Sequence, residues 1–147
     1  MLNVVTQTSK DRSLLFLRVV LAVVLWPHGA QKVLGWFGGH GLEGTMSYLT
    51  GTIGAPAPLA ILAIAIEFLG PPALVAGFLT RPVAAGVVGI MAVAVAAVHA
   101  PNGFFMNWSG AQAGEGFEYH ILMTAIAVVL LVRGGGAASV DGAVAGR

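Results

Sequence analysis

Long apolar stretches dominate the chain, and short polar segments separate them. Four stretches approach the roughly 20 apolar residues that an α-helix needs to cross a bilayer. They cover residues 13–34, 57–79, 82–99 and 117–133. Their apolar residues do not alternate with polar ones in the way that barrel strands require. The pattern therefore predicts an all-α membrane protein built as a bundle of four transmembrane helices.

The segments outside these stretches divide the rest of the chain. We expect one transmembrane domain over residues 1–133 and a flexible tail over 134–147, because the tail is rich in Gly and Ala. Residues 42–50 predict a short interfacial helix. The aromatic segment 102–108 has two interpretations: an aromatic belt that anchors the bundle at the membrane surface, or a lid over a cavity.

Basic residues predict how the bundle is oriented. The two long connections, 35–56 and 100–117, contain no Lys or Arg. Basic residues accumulate on the cytoplasmic side of membrane proteins, so we expect both termini in the cytoplasm and both long connections outside. Lys10 and Arg12 precede the first stretch, and Arg81 lies between the second and the third. Arg133 ends the fourth stretch, and Arg147 follows it.

Composition excludes several other classes of protein. Hydrophobic residues make up 57% of the chain and charged residues 9%, with a mean hydropathy of +0.88. A soluble domain of this size needs more charge, and a disordered chain needs lower hydrophobicity. The net charge of +1 and the scattered basic residues exclude a nucleic-acid partner. The absence of Cys excludes disulfides and thiolate metal sites.

Seven ionisable residues lie within the apolar stretches or at their ends. Such groups are costly inside a bilayer, so they normally face protein and are paired there. Counting about 1.5 Å per residue places His28, Lys32 and Glu67 at similar depths. We therefore expect Glu67 to contact Lys32 or His28 inside the bundle. The seven are Arg18, His28, Lys32, Glu67, His99, Glu118 and His120.

Stripes of small residues indicate which way the side chains of Glu67 and His99 point. Small residues recur at helical spacing beside Glu67 and beside His99, and membrane helices approach one another closely along such stripes. Both side chains should then face the bundle interior. We expect a pocket in the outer half, with Glu67 at its floor and His28, Lys32 and His99 in its walls. Segment 102–108 and the start of the fourth stretch would form its roof.

At these residues the sequence resembles the DoxX family of small four-helix membrane proteins. Pro71 and Pro72 depart from the Gly-rich continuation that the family usually has after its acidic residue. The resemblance spans residues 14–133. The segments that carry it are R-x-x-L-A…HGAQKVLG at 18–35, IGAPAPLA at 53–60, IEFLG at 66–70, GFLTR at 77–81, HAPNGFFMNW at 99–108 and GEGFEYHIL at 114–122.

The resemblance implies a multi-pass protein of the prokaryotic cytoplasmic membrane, with both termini inside. Relatives are described as subunits of quinone-linked oxidoreductases, which makes a quinone or quinol the expected cofactor. No flavin, haem or iron–sulfur motif is visible in the sequence. The electrons would then come from a partner redox subunit, the substrate or an unrecognised centre. The resemblance is compatible with a chain that is an enzyme on its own and with one that assembles as a homo-oligomer.

This hypothesis assigns roles to individual residues. Glu67 would exchange protons, because burial favours the neutral form of a carboxyl group. His28, Lys32 and His99 would complete the catalytic set by donating hydrogen bonds to the quinone oxygens. Six further residues would bind the cofactor: Phe104, Phe105, Asn107, Trp108, Glu118 and His120.

Two other classes of function compete with a quinone site. His28, His99 and His120 would supply nitrogen ligands to a metal or haem between the helices. A non-catalytic role is the third reading, either as a membrane anchor or assembly factor or as a small-solute transporter.

Overall fold

The computed structural model describes residues 5–146, and within that range the chain forms helices and no strand. The all-α class is therefore confirmed. The main helices are α1 (Arg12–Leu34), α2 (Gly41–Ser47), α3 (Ala57–Ala76), α4 (Thr80–Ala94), α5 (Glu118–Arg133) and α6 (Val140–Ala145). A 3₁₀ turn covers Trp36–Gly38, a π-helical turn Tyr48–Thr52 extends α2, and α4 continues through Val95–His99 and Ala100–Asn102.

Local chemistry explains where the long helices begin and end. Asp11 caps α1, because its side chain accepts a hydrogen bond of 2.8 Å from the Ser13 amide. Pro56 immediately precedes α3, where the missing amide hydrogen costs nothing. Gly77 ends α3 with a φ of 66°, a left-handed conformation that glycine adopts without steric penalty. The helix also runs unbroken through Pro71 and Pro72.

Three helical stretches are long and apolar enough to cross a membrane. They are Arg12–Leu34, Ala57–Ala76 and Thr80–Asn102, and they match the first three predicted stretches to within a few residues. The fourth predicted stretch forms α5, which has 16 residues. At about 1.5 Å per residue it is roughly 24 Å long, shorter than a bilayer core of about 30 Å. The structure therefore supports three candidate spans.

The helices pack in pairs around an apolar core. α1 makes its most extensive contacts with α3, and α4 with α5, while further contacts join α3 to α4 and α1 to α5. Many large apolar side chains on the outer surface are exposed, among them Phe16 and Leu69. An exposed apolar surface of this kind is consistent with contact to lipid. The largest core side chains with almost no exposure are Leu21, Leu25, Leu74, Val87 and Leu130.

The segment after α5 lies against one end of the bundle. Residues 134–145, here called the C-terminal strap, contact the start of α1 and the turn between α3 and α4. This end of the bundle is called the terminal end below. Composition predicts a flexible tail there, whereas the structure places the strap on the helices through backbone and side-chain hydrogen bonds that a composition-based argument does not consider.

Candidate functional site

An ion pair joins α1 to α3 inside the bundle. Lys32 Nζ contacts Glu67 Oε2, as the depth of the two residues predicts. The Glu67 side chain is 7% exposed and the Lys32 side chain 29%. The carboxylate is thus removed from the surface, while the ammonium group keeps partial access to it. A buried charge that is paired in this way avoids most of the penalty of an isolated one.

A close approach of two backbones places this pair. A β carbon at Gly29 would collide with the Glu67 carbonyl and with Phe68 Cα. Pro71 has no amide hydrogen to donate to that same carbonyl, four residues earlier in the helix. Gly29 therefore lets α1 approach α3 at the turn that carries Glu67. The stripe of small residues beside Glu67 predicts such an approach. The stripe beside His99 does not make one, because its residues Ala85, Gly89, Ala92 and Ala96 are exposed.

Four aromatic rings form a series of contacts that begins at His28, one turn along α1 from Lys32. The rings of His28 and Tyr119 have centroids 6.1 Å apart. Tyr119 and His120 are 5.5 Å apart, and His120 and His99 only 4.1 Å. Glu67 is near enough to act electrostatically on both His28 and Tyr119. We call the whole set the polar cluster: His28, Lys32, Glu67, His99, Tyr119 and His120.

Three buried polar atoms of this cluster have no hydrogen-bond partner among residues 5–146. One of them, Glu67 Oε2, is ion-paired to Lys32, whereas Tyr119 Oη and His120 Nδ1 have no partner in that range. Buried polar atoms are nearly always hydrogen-bonded, because leaving one unpaired costs about 1–3 kcal/mol. The two neighbouring groups are therefore available to a bound molecule with hydrogen-bonding atoms. One can donate a proton, and the other can donate or accept according to its tautomer.

Tyr119 is the member of the cluster that the sequence interpretation missed. It lies between Glu118 and His120, both of which the sequence predicts to belong to the site. Successive helical residues differ in direction by about 100°, so three in a row do not all face inward. The structure directs Tyr119 and His120 into the bundle and Glu118 into the preceding loop. The sequence feature that indicates Tyr119 is an amphipathic side chain within a run of polar residues at the start of a helix.

Two carboxylates organise the loop between α4 and α5. Glu118 Oε1 accepts a hydrogen bond of 2.8 Å from the Met106 amide. Glu115 Oε2 accepts one of 2.6 Å from the Asn107 amide. The Asn107 side chain in turn bonds to the backbone of Gln112. Glu118 and Asn107, both predicted to bind the cofactor, are thus engaged in holding this loop together.

His99 connects the loop to the cluster. Its Nδ1 lies 2.8 Å from the Glu115 carbonyl oxygen, while its ring contacts that of His120. When Nδ1 donates a hydrogen bond to the Glu115 carbonyl oxygen, the other ring nitrogen of the neutral imidazole is free to act as an acceptor. The loop therefore orients a ring of the cluster through a backbone carbonyl.

The aromatic residues of the loop do not cover the polar cluster. Trp108 is 88% exposed and Phe105 67% exposed, so neither forms the expected roof. Phe104 instead packs edge-on against Phe117, with centroids 5.7 Å apart. The lid interpretation is corrected in this respect, because Glu115 and Glu118 bind the loop backbone and leave its rings outside. The aromatic belt remains the interpretation that fits the exposed rings.

Two open, apolar grooves adjoin α3. One has a volume of about 430 Å³ and the other about 470 Å³. The expected pocket differs from both, because none of its predicted wall residues lines either groove. The first groove is lined by Val33, Leu42, Met46, Ile61, Ile64, Ala65, Phe68 and Leu69. The second is lined by Ala22, Val23, Trp26, Pro71, Pro72 and Val75.

The alternative metal site is not assembled in the described part of the chain. No group of three or more His, Asp or Glu residues within 5–146 is arranged to hold a metal ion. His99 and His120 do lie together, and His28 acts electrostatically on His120. Arg18 is not in the polar cluster, since it lies under the strap at the terminal end.

Comparison with known proteins identifies the family. No curated protein and no solved structure matches the chain. Residues 13–100 match the model of the family described as DoxX. The match covers 88 of the 147 residues, including α1, α3 and α4 with His28, Lys32, Glu67 and His99. The chain is thus a membrane protein that belongs to the DoxX family.

Proposed function

We propose that this protein binds a quinone or quinol at the polar cluster and serves as a subunit of a membrane oxidoreductase. The two unpartnered atoms, Tyr119 Oη and His120 Nδ1, carry the proposal. A quinone has two carbonyl oxygens that accept hydrogen bonds and a ring that packs against aromatic side chains. A tyrosine hydroxyl and an imidazole beside a buried acid fit that chemistry.

Glu67 is the group that would exchange a proton with the bound molecule. Reduction of a quinone to a quinol takes up two electrons and two protons. Glu67 is ion-paired to Lys32, which lies one turn along α1 from His28, and the His28 ring lies 6.1 Å from that of Tyr119 with its unpartnered hydroxyl. Lys32, which is partly exposed, links Glu67 to the surface and so to a source of protons.

The apolar grooves beside α3 support the same proposal. Val33 and Phe68 line the first groove and directly follow Lys32 and Glu67 in the chain. An isoprenoid tail is an apolar chain that needs such a surface within the bilayer. The groove would hold the tail while the cluster binds the ring. The electrons would be supplied by a partner redox subunit, because the sequence shows no motif for a redox centre of its own.

The proposed membrane arrangement is the one expected from the basic residues. We infer that α5 is a fourth span and that the chain is a multi-pass protein of the prokaryotic cytoplasmic membrane with both termini inside. Arg81 and Arg133, at the ends of α4 and α5 nearest the termini, support this orientation. α5 is short, but local thinning of the bilayer accommodates a short span at modest cost.

A conservative substitution separates ligand binding from folding. Tyr119→Phe removes a hydroxyl that has no partner in the described chain, so it should leave the midpoint of thermal unfolding unchanged or raise it. The same change should weaken binding of a short-chain ubiquinone or menaquinone analogue by about tenfold, the value of one hydrogen bond. Fluorescence quenching of the purified protein measures the affinity.

Tyr48→Phe is the matched control, because Tyr48 is 43% exposed in the turn after α2. It should change neither the affinity nor the unfolding midpoint. Equal affinities of the Tyr119→Phe variant and the unmodified protein for both analogues would refute a quinone site at the cluster.

A further inference from the structure

The terminal end of the bundle encloses a charge that the polar cluster does not use. Arg18 is fully buried, and its Nη2 donates to the carbonyl oxygens of Ala138 and Ala137 at 3.1 and 3.4 Å. Its Nε and Nη1 have no partner among residues 5–146. The buried Thr80 Oγ1, in the same region, is also without one in the described chain. Three unpaired donors therefore favour an additional acceptor here.

Two of these donors, Arg18 Nη1 and Thr80 Oγ1, face the small space beside Gly135. A β carbon on Gly135 would lie 2.7 Å from Thr80 Oγ1 and 3.5 Å from Arg18 Nη1. A β carbon on Gly77 would collide with the same Nη1. The two glycines thus keep side-chain atoms out of the space that the guanidinium and the hydroxyl face. About 15 Å along α1 separates this space from His28 of the polar cluster.

An internal carboxylate binds the backbone amides next to the Thr80 hydroxyl. Asp141 Oδ1 accepts from the Leu79 amide and Oδ2 from the Thr80 amide, each at 2.9 Å. These amides begin the 15-residue helix α4, and amides at a helix start are a general anion site. Asp141 also acts electrostatically on Arg18, yet no acidic group in the described chain is ion-paired to Arg18 within 4.0 Å. The carboxylate satisfies the amides and leaves the guanidinium incompletely paired.

The strap that carries Asp141 has few apolar anchors. Val140 and Val144, the only large apolar side chains of α6, are 42% and 48% exposed. The other contacts are polar, such as the Gly136 amide to Thr8 Oγ1 at 2.7 Å and the Ala137 amide to the Asp11 carbonyl at 3.0 Å. Polar contacts of this kind exchange with water at small net cost. The strap is therefore suited to release.

We propose that Arg18, Thr80 and the Leu79 and Thr80 amides form a binding site for a phosphate group, and that Asp141 occupies it as an internal substitute. A phosphate has more acceptor oxygens than a carboxylate and a larger radius, so it reaches the amides and the guanidinium together. Binding of phosphate displaces the strap. The group is supplied either by an anionic lipid headgroup or by free phosphate.

The test opens the site and then blocks it. Asp141→Ala removes the internal carboxylate, and Asp141→Ala with Arg18→Met also removes the guanidinium, which lies outside the strap. Inorganic phosphate, compared with chloride at equal ionic strength, should raise the unfolding midpoint of the single variant by on the order of 3 °C. The shift should be smaller in the unmodified protein and absent in the double variant. Equal shifts in all three proteins, or none in the single variant, would overturn the proposal.

A second measurement does not depend on the folding of those variants. The chain has no Cys, so Ser139→Cys introduces a unique thiol within the strap, at a position that is 9% exposed. Phosphate should raise its labelling rate severalfold as the strap leaves, and an unchanged rate would contradict strap displacement.

Mixed micelles with phosphatidic acid or phosphatidylcholine identify the source. A higher rate with phosphatidic acid alone indicates the headgroup, and a higher rate with inorganic phosphate alone indicates the free ion. No increase with either phosphate source would refute the site.

Discussion

At the scale of single residues, the ion pair between Lys32 and Glu67 is the strongest constraint on the bundle. Both charges lie between apolar helices, and each lowers the cost of burying the other. Removing one partner leaves the other charged in a poorly solvated place. The pair also fixes the relative depth of α1 and α3, because only one register brings the two side chains together.

Glu67→Gln should destabilise the protein by about 3 kcal/mol, the lower end of the range for breaking a buried pair, since Lys32 keeps partial access to the surface. Glu43→Gln, in the exposed start of α2, should have almost no effect. Thermal unfolding in detergent compares the two. Similar midpoints for both variants would mean that the pair contributes little.

Gly29 makes the second prediction at this scale. Gly29→Ala places a methyl group against the Glu67 carbonyl and forces α1 away from α3, so we expect a loss of about 2 kcal/mol. Gly89→Ala is the control, because no atom lies within 4 Å of the added carbon and alanine favours a helix. Gly89→Ala should be neutral or stabilising. Equal destabilisation by the two changes would argue against a close approach at Gly29.

Residue-level prediction from the sequence succeeds where depth and periodicity decide the outcome. The contact between Lys32 and Glu67 follows from counting residues along two antiparallel helices. The inward direction of Tyr119 and the loop contact of Glu118 do not follow from such counting. They depend on hydrogen bonds to the amides of the preceding loop, which hydropathy does not register.

At the scale of elements, the long helices are well predicted and the loop between α4 and α5 is not. Apolar runs and flanking Pro or Gly residues determine α1 and α3, so their predicted bounds agree closely with Arg12–Leu34 and Ala57–Ala76. The loop is held by two hydrogen bonds in which backbone amides donate to carboxylates that lie 8 and 12 residues later in the chain. Its aromatic composition therefore predicts membrane contact better than it predicts a lid.

The loop prediction is tested by removing one carboxylate. Glu118→Ala deletes the acceptor of the Met106 amide and should destabilise the loop by about 1–2 kcal/mol. Hydrogen exchange should then accelerate in peptides that cover residues 103–108 and stay unchanged in α1. Glu43→Ala should alter neither region. Unchanged exchange in the loop after Glu118→Ala would show that this bond does not order it.

At the scale of the whole molecule, polar groups collect at two separate levels of an apolar bundle. The polar cluster lies among α1, α3, α4 and α5, and Arg18 with Asp141 lies at the terminal end. The sequence predicts the first level except for Tyr119, because the other five residues are isolated ionisable groups in or at the ends of apolar stretches. The packing of the strap cannot be predicted from hydropathy, because Asp141 binds backbone amides that are 61 and 62 residues away in the chain.

Orientation of the bundle gives the prediction at this scale. Single cysteines at Ser47 and Ser109 should react in intact cells with a thiol reagent that does not cross membranes, and one at Ala143 should react only after the cells are opened. All three positions are exposed, and the chain has no other thiol. Labelling of the Ala143 variant in intact cells would contradict the arrangement with both termini inside.

Photolabelling with an azido-quinone, followed by mass spectrometry of the peptides, tests the central claim most directly. The proposed site predicts labelled peptides from α1 around His28 and from α5 around Tyr119, and predicts that excess unmodified quinone suppresses the labelling. Label that is confined to the exposed loop around Trp108 or to the terminal end, or that persists in excess quinone, would contradict a quinone site at the polar cluster.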